Sequence, residues 1–391
     1  MSRRLPVALA AVAVLALPAA APAKTTIPKG PSGTAFYKPP SPVPGKKHGD
    51  LIRARSETRG TLPSAARTSL VLYRSTSVAG KPVAVSGDVA IPKGKAPKSG
   101  WPVVSWDHGT TGIADSCAPS RAGAGGNAKT YNQALLDGFL KAGYAVVSTD
   151  YEGLGTPGVH PYLIGKSEGR STLDIIRAAR QLDSRVGTRI AITGHSQGGH
   201  AALWAASLAH SWTPELKLRA TVPFAPASHI ADQSKLLSGL KDPSGLTGLA
   251  ATILRGIDVA KPSLNVAALM SDQARALFPQ TLTKCLGALA APTAFGGLAP
   301  ASLVRDGADI TPVVAALGAN DPEHLTIKTP LRIEQGTSDT TVFPTFTNQL
   351  VDTYKKAGDP VTIKTYDGID HTGVVAAGTK DALAYIKQRL G

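Results

Sequence analysis

The chain has 391 residues, 42% of them hydrophobic and 18% charged, and 42 Lys and Arg against 27 Asp and Glu give a formal charge of +15. That length holds one large core or two modest ones. The basic residues are scattered and no aromatic-interleaved basic motif occurs, which argues against nucleic acid as a partner, and two cysteines are too few for a Cys-based metal site.

Arg3 and Arg4, the apolar run Leu5–Leu17 and the small residues Ala21-Pro22-Ala23 follow one another in the order of a secretory signal peptide, residues 1–23. The apolar run is too short to span a bilayer, and no later stretch has the length and apolarity of a transmembrane helix. The mature chain, carrying +13 once the two leader arginines are gone, is therefore expected to be exported and soluble. Its basic surface suits anionic envelopes or a lipid–water interface. In an oxidising compartment Cys117 and Cys285 read either as one disulfide or as two buried thiols.

Residues 24–68 read as an N-terminal arm, its Pro/Gly/Lys-rich part Thr26–Lys47 without regular structure. From Ser69 the pattern becomes β-rich: Ser69–Ser77 and Pro82–Ile91 flank an Ala79-Gly80 turn, a hairpin signal. Strands and helices then alternate. Val103–Trp106 is a buried strand, Tyr131–Ala142 a helix ended by Gly143, and Tyr144–Thr149 a strand. A helix is expected over Leu173–Leu182 with Ser171 as its N-cap, followed by strand Arg189–Thr193 and the Ala-rich helix His200–His210. Leu218–Phe224, Leu331–Glu334 and Val361–Tyr366 are further strands, and Lys380–Leu390 is a terminal helix. The alternation predicts an α/β fold, a mostly parallel sheet with helices on both faces. About a hundred residues separate the strand ending at Phe224 from the one starting at Leu331, too many for a simple crossover. Their helical patches, Ile253–Val259 and Val266–Leu277, read as an inserted cap over 229–328, between core segments 69–228 and 329–391.

The run Gly194-His195-Ser196-Gln197-Gly198 lies directly between a strand and a helix, the context in which G-x-S-x-G has mechanical meaning. Glycines on either side permit a sharp turn that projects the Ser196 hydroxyl above the sheet, and the helix start supplies free N–H groups, that of Gln197 among them. The competing reading is a Gly-rich loop or phosphate cradle. A serine nucleophile needs a base late in the chain, and His371, in GIDHTG after the last strand, has that position. His195 and His200 stand too close to Ser196 in sequence and read as packing, and His324 as a surface or cap residue. Asp339, in QGTSD after the preceding strand, is the expected acid; Asp370 would have to fold back on its own neighbour, and Asp367 lies too near the strand end. The loop Asp107-His108-Gly109-Thr110-Thr111-Gly112 is of the HG type that donates one N–H to an oxyanion. Thr110 is the first candidate, Gly109 and Thr111 close behind, and the Gln197 N–H is the partner donor. Asp150-Tyr151-Glu152-Gly153-Leu154-Gly155 either lines the acyl pocket or buttresses the site. No H-E-x-x-H occurs, and the chemistry calls for no cofactor or metal.

With FYKPP (36–40), GDLI (49–52), HGTTG, CAPS (117–120), DYEGLG, TGHSQGGHAALW, FAPA (224–227), QGTSD and GIDHTGV in hand, the chain resembles the secretory lipase family of α/β-hydrolases from about Ala35 onward. The resemblance implies an α/β-hydrolase fold, a Ser-His-Asp esterase acting on acyl glycerols or other esters, and a helical cap that regulates access. It also implies that Cys117 pairs with Cys285 in the cap. The same fold hosts secreted peptidases and acyltransferases, and a non-catalytic envelope-binding protein is a third reading of the basic chain.

Overall fold

The computed structural model describes residues 27–58, 62–122 and 131–391; the leader expected at 1–23 and residues 24–26 and 59–61 of the arm lie outside them. Among the described residues nine strands form one sheet: β1 Leu51–Glu57, β2 Ala65–Thr76, β3 Pro82–Pro92, β4 Trp101–Asp107, β5 Ala145–Thr149, β6 Val186–His195, β7 Lys217–Phe224, β8 Leu331–Gly336 and β9 Val361–Tyr366. Their order is β1-β2-β3-β5-β4-β6-β7-β8-β9. The β1–β2, β2–β3 and β3–β5 pairs are antiparallel and every later pair is parallel.

Helices of eight or more residues are numbered in chain order: α1 Gln133–Lys141, α2 Gly165–Leu182, α3 Gln197–Trp212, α4 Ile230–Ser238, α5 Leu246–Ala260, α6 Thr311–Gly318, α7 Pro344–Lys356 and α8 Gly373–Leu390. Strand alternation sends successive side chains to opposite faces. Val103, Val147, Ile190 and Ile192 pack with Leu173 and Ile176 of α2 and Ala202 and Ala205 of α3. Their neighbours Val104, Val146 and Ala191 pack with Phe139 of α1 and Val374 and Ile386 of α8. Both faces are thus covered, and the central strands read as unbroken apolar runs for that reason. A separate apolar cluster joins α4, α5 and α6 to Ile113, Tyr162, Leu163 and Ile164 from loops beyond the strand ends.

Several boundaries differ from expectation. The sheet begins before Ser69, since β1 and the start of β2 lie within 24–68. β1 carries Arg53 and Arg55 and sits at the sheet edge, where charge blunts further pairing and hides the strand pattern. Helix α2 starts at Gly165, so Ser171 is an internal residue whose hydroxyl donates to the Ser167 carbonyl at 3.0 Å, not an N-cap. Its first turns, GKSEGRS, have poor helix propensity, and tertiary contact decides. A Cβ on Gly165 would lie 2.0 Å from the Trp204 indole and one on Gly169 2.9 Å from the Ala205 nitrogen, so these glycines let α2 and α3 touch. Finally, α8 starts at Gly373 instead of Lys380, and α3 at Gln197 instead of His200.

Candidate active site

Strand β6 ends at His195 and α3 begins at Gln197, leaving Ser196 alone at the junction with φ 58° and ψ −117°. A non-glycine residue in this region is strained and persists only where its surroundings hold it. Here the Ser196 N–H donates to the Phe224 carbonyl at 2.9 Å, and its carbonyl accepts from the N–H groups of His200 at 3.0 Å and Ala227 at 3.2 Å. The flanking glycines are needed for close approach: a Cβ on Gly194 would lie 2.7 Å from the Asp107 carbonyl oxygen, and one on Gly198 only 1.9 Å from it. The junction is pressed against the end of β4.

The Ser196 hydroxyl lies 2.9 Å from Nε2 of His371, and Nδ1 of His371 lies 2.7 Å from Oδ2 of Asp339. The other Asp339 oxygen accepts from the N–H groups of Thr341 and Val342, each at 2.8 Å, and Gln335 Nε2 donates to Oδ2 at 3.2 Å. Burial pushes the Asp339 pKa up, but the hydrogen bond and charge of His371, with the two backbone amides, hold it below its ordinary value. An ionised Asp339 only accepts, so Nδ1 of His371 carries the proton and Nε2 presents a lone pair to the serine hydroxyl. The three residues expected from the sequence are brought together. The two rejected aspartates have other partners: Asp370 accepts from the Gly373 N–H at 2.7 Å and Asp367 from the Thr337 hydroxyl at 3.1 Å.

Gly109, Thr110 and Thr111 line the same cavity as Ser196 and His371. The Gly109 N–H points to the Tyr131 hydroxyl at 3.4 Å, and the Thr110 hydroxyl is 2.6 Å from that of Tyr162. Gln197, the first residue of α3, has one of the N–H groups that a helix start leaves unpaired. Its side chain is anchored below the site, donating from Nε2 to Glu168 Oε1 and to His160 Nε2, both at 2.8 Å.

Several groups around the site left little trace in the sequence. Glu168 forms a fully buried ion pair with His200, whose Nδ1 lies 2.8 Å from Oε2 while its Nε2 donates to the Asn320 carbonyl at 2.8 Å. Burial lowers the His200 pKa, yet the Glu168 hydrogen bond and charge raise it overall; for Glu168 burial raises the pKa and His200 lowers it overall. His200 is therefore a charged partner, more than the packing residue expected. Its i+4 spacing from Ser196 was the available signal, but Glu168 had to be supplied by the fold. His324 packs edge-on against Trp204. The DYEGLG run buttresses: the Tyr151 hydroxyl donates to the His108 carbonyl at 3.0 Å, and buried Asp150 accepts from Ser86 at 2.6 Å and from the Ser120 N–H at 2.9 Å.

A cavity of about 650 Å³ opens above Ser196. Its far wall comes from α5 and the segment after Cys285, with Leu246, Leu249, Leu286, Ala288 and Ala290. That wall is tied to the HG-type loop by the Cys117–Cys285 disulfide, by a Gly112–Cys285 backbone bridge and by the Leu286 N–H donating to the Thr111 carbonyl at 2.9 Å. Among the described residues no helix is long and apolar enough to cross a membrane.

Residues 121–391 match the secretory lipase family. Among curated proteins, the chain is 29% identical over 269 residues to lipase A of Moesziomyces aphidis, covering 66% of this chain and 56% of that protein. It is 32% identical over 203 residues to lipase 5 of Candida albicans, covering 48% of this chain and 42% of that one. A protein of Mycobacterium tuberculosis described as a probable inactive lipase is 29% identical over 246 residues, 60% of this chain and 53% of its own length. The chain spans about half the length of the curated relatives it matches. Among solved structures, Candida antarctica lipase A superposes with a TM-score of 0.78 at 24% identity, covering 91% of this chain and 85% of that one. A rice cell wall degrading esterase of Xanthomonas oryzae gives 0.72 at 19% identity, covering 88% and 98%.

Proposed function

The chain belongs to the secretory lipase family, and from that premise we propose that it is a secreted carboxylic ester hydrolase, a triacylglycerol lipase or carboxylesterase, working through an acyl-enzyme on Ser196. The observation that carries this reading is the unbroken hydrogen-bonded chain from Ser196 to His371 to Asp339, at 2.9 and 2.7 Å, at the foot of an open cavity with an apolar wall.

In this mechanism the Ser196 oxygen attacks the ester carbonyl carbon as His371 Nε2 takes the hydroxyl proton, and Asp339 stabilises the imidazolium that forms. The negative charge that gathers on the carbonyl oxygen is met by the N–H of Gln197 and an N–H of the HG-type loop, with Thr110 as first choice because that of Gly109 already points to Tyr131. His371 then returns its proton to the departing alcohol. A water that gives its proton to His371 attacks the acyl-enzyme, and the fatty acid leaves. Neither step calls for a metal or an organic cofactor. The apolar wall of Leu246, Leu249 and Leu286 supports an acyl chain as the group accommodated there. We read residues 229–328 as a cap whose disulfide keeps this wall in register with the oxyanion loop. The leader-like residues 1–23 support export.

The test is a chain-length series of p-nitrophenyl esters and emulsified triglyceride, run on purified protein and on Ser196→Ala. Hydrolysis that the alanine variant loses is expected. Equal rates in the two proteins would overturn the serine assignment, and cleavage of peptide anilides but not esters, or product only with an added acceptor alcohol, would replace hydrolysis of esters by the peptidase or transferase reading.

A further inference from the structure

His195, immediately before Ser196, has no part in the proton transfers above, yet its side chain is buried against both halves of the site. Its Nε2–H donates to the backbone carbonyl of His371 at 2.8 Å. Its ring lies 4.6 Å, centroid to centroid, from the His371 ring at 44°, and the Tyr131 ring meets it edge-on at 5.5 Å. His371 sits on a loop beyond the end of β9 at Tyr366, held to the neighbouring loop by the Ser338 N–H at the Ile369 carbonyl. That contact does not refer the base to the nucleophile.

We infer that His195 is a positioning residue that fixes the base relative to the nucleophile, because one imidazole joins the residue next to Ser196 to the backbone of His371. This rests on the hydrolase reading of the site. The length of the Ser196–His371 hydrogen bond depends on two elements far apart in sequence, β6 and the loop after β9. A direct tie between them makes any shift of the elbow carry the base along, and small displacements of a reacting pair are costly in rate. The tie also sets the His195 tautomer: the proton is on Nε2. Burial, and then the charge of His371, push the His195 pKa down to about 3. The ring is therefore neutral when His371 becomes cationic during attack, and adds no opposing charge at close range.

The experiment compares His195→Phe, His195→Gln and His195→Asn with wild type. Phenylalanine keeps the ring packing and loses the donor. Glutamine reaches the carbonyl with an amide N–H; asparagine, one bond shorter, does not. Expected are a kcat lower by roughly 10- to 100-fold in the Phe variant with KM within about twofold, and recovery of most of kcat in the Gln variant but not in the Asn variant. Amide hydrogen exchange over residues 368–372 should quicken in Phe and Asn and not in Gln, a readout that does not need turnover. Unchanged kcat and exchange in the Phe variant would overturn the inference, and so would equal kcat in Gln and Asn, which decide the matter if the Phe variant does not fold. The hydrolase reading stands or falls separately, on the loss of wild-type activity and of fluorophosphonate labelling in Ser196→Ala.

Discussion

Replacing Asp339 by asparagine tests whether His371 works as a base in the tautomer the hydrogen bonds dictate. The carboxylate has two distinct sides: Oδ1 accepts from Thr341 and Val342, and Oδ2 accepts from His371 Nδ1 and Gln335 Nε2. An asparagine that leaves its carbonyl oxygen toward the two backbone amides keeps both of those bonds. Its NH₂ then faces His371, where a donor already points. The imidazole can resolve that conflict only by moving its proton to Nε2, which presents N–H instead of a lone pair to Ser196 and removes the base. The opposite orientation would set the NH₂ against the buried Val342 N–H and the half-buried Thr341 N–H, at about 1–3 kcal/mol for a buried donor left unpaired. The first arrangement is therefore the stable one, and the fold survives. Recovering the active tautomer, and losing the carboxylate that steadies the imidazolium, should lower kcat by about 10⁴, or about 5.5 kcal/mol. The assay is kcat and KM on a short p-nitrophenyl ester at neutral pH, with fluorophosphonate labelling as a measure of serine attack and a thermal melt as a control for folding. A folded Asp339→Asn protein within about 100-fold of wild type would refute the reasoning, since His371 would then be oriented by something other than Asp339.

Gly198→Ala should not be accommodated, because the new Cβ would lie 1.9 Å from the Asp107 carbonyl oxygen; a soluble variant with an unchanged melting temperature and activity would contradict the close packing of the elbow. Removing both cysteines opens a link between residues 168 apart, worth up to about 5 kcal/mol in the chain-entropy account. A melting temperature lower by about 6 °C at most is expected, with a shifted chain-length profile as the wall on Leu286 loosens. The Glu168–His200 pair predicts a pH dependence. Burial opposes ionisation of Glu168, but His200 brings its folded pKa below 4.5, so its contribution is present above pH 4.5 and lost as pH falls through the depressed value. Burial likewise opposes charge on His200, but Glu168 raises its folded pKa above 6.5, so that contribution is full below pH 6.5 and lost as pH rises through the raised value. Together they stabilise most between pH 4.5 and 6.5, and a melting curve against pH should peak there and flatten in Glu168→Gln. Asp321, pushed up to about 6 by burial and then by Glu323, binds its proton more tightly folded than unfolded, so its contribution is full below pH 3.8 and lost as pH rises through about 6, which moves the maximum toward the acid end of that window.

The sequence by itself determined the layered α/β architecture, because strands buried on both faces must be apolar throughout and the helices between them amphipathic, and both patterns are local. It also singled out Ser196 and His371 as the proposed nucleophile and base, since a nucleophile elbow needs glycines at set offsets from a serine and a base is expected after the last strand. Asp339 was legible by its place after β8. Edge strand β1 was not, because its arginines break the apolar pattern while its pairing comes from β2. The early turns of α2 were equally hidden: their glycines oppose a helix locally and are retained because Trp204 and Ala205 occupy the space a side chain would need. What only the tertiary structure decided are the partnerships across long separations. Glu168 meets His200, the His195 ring reaches the backbone of His371, and Cys285 brings an apolar wall over Ser196. Hydrogen bonds and charges act over a few ångströms, and which groups stand that close depends on how strands and helices far apart in the chain are packed together.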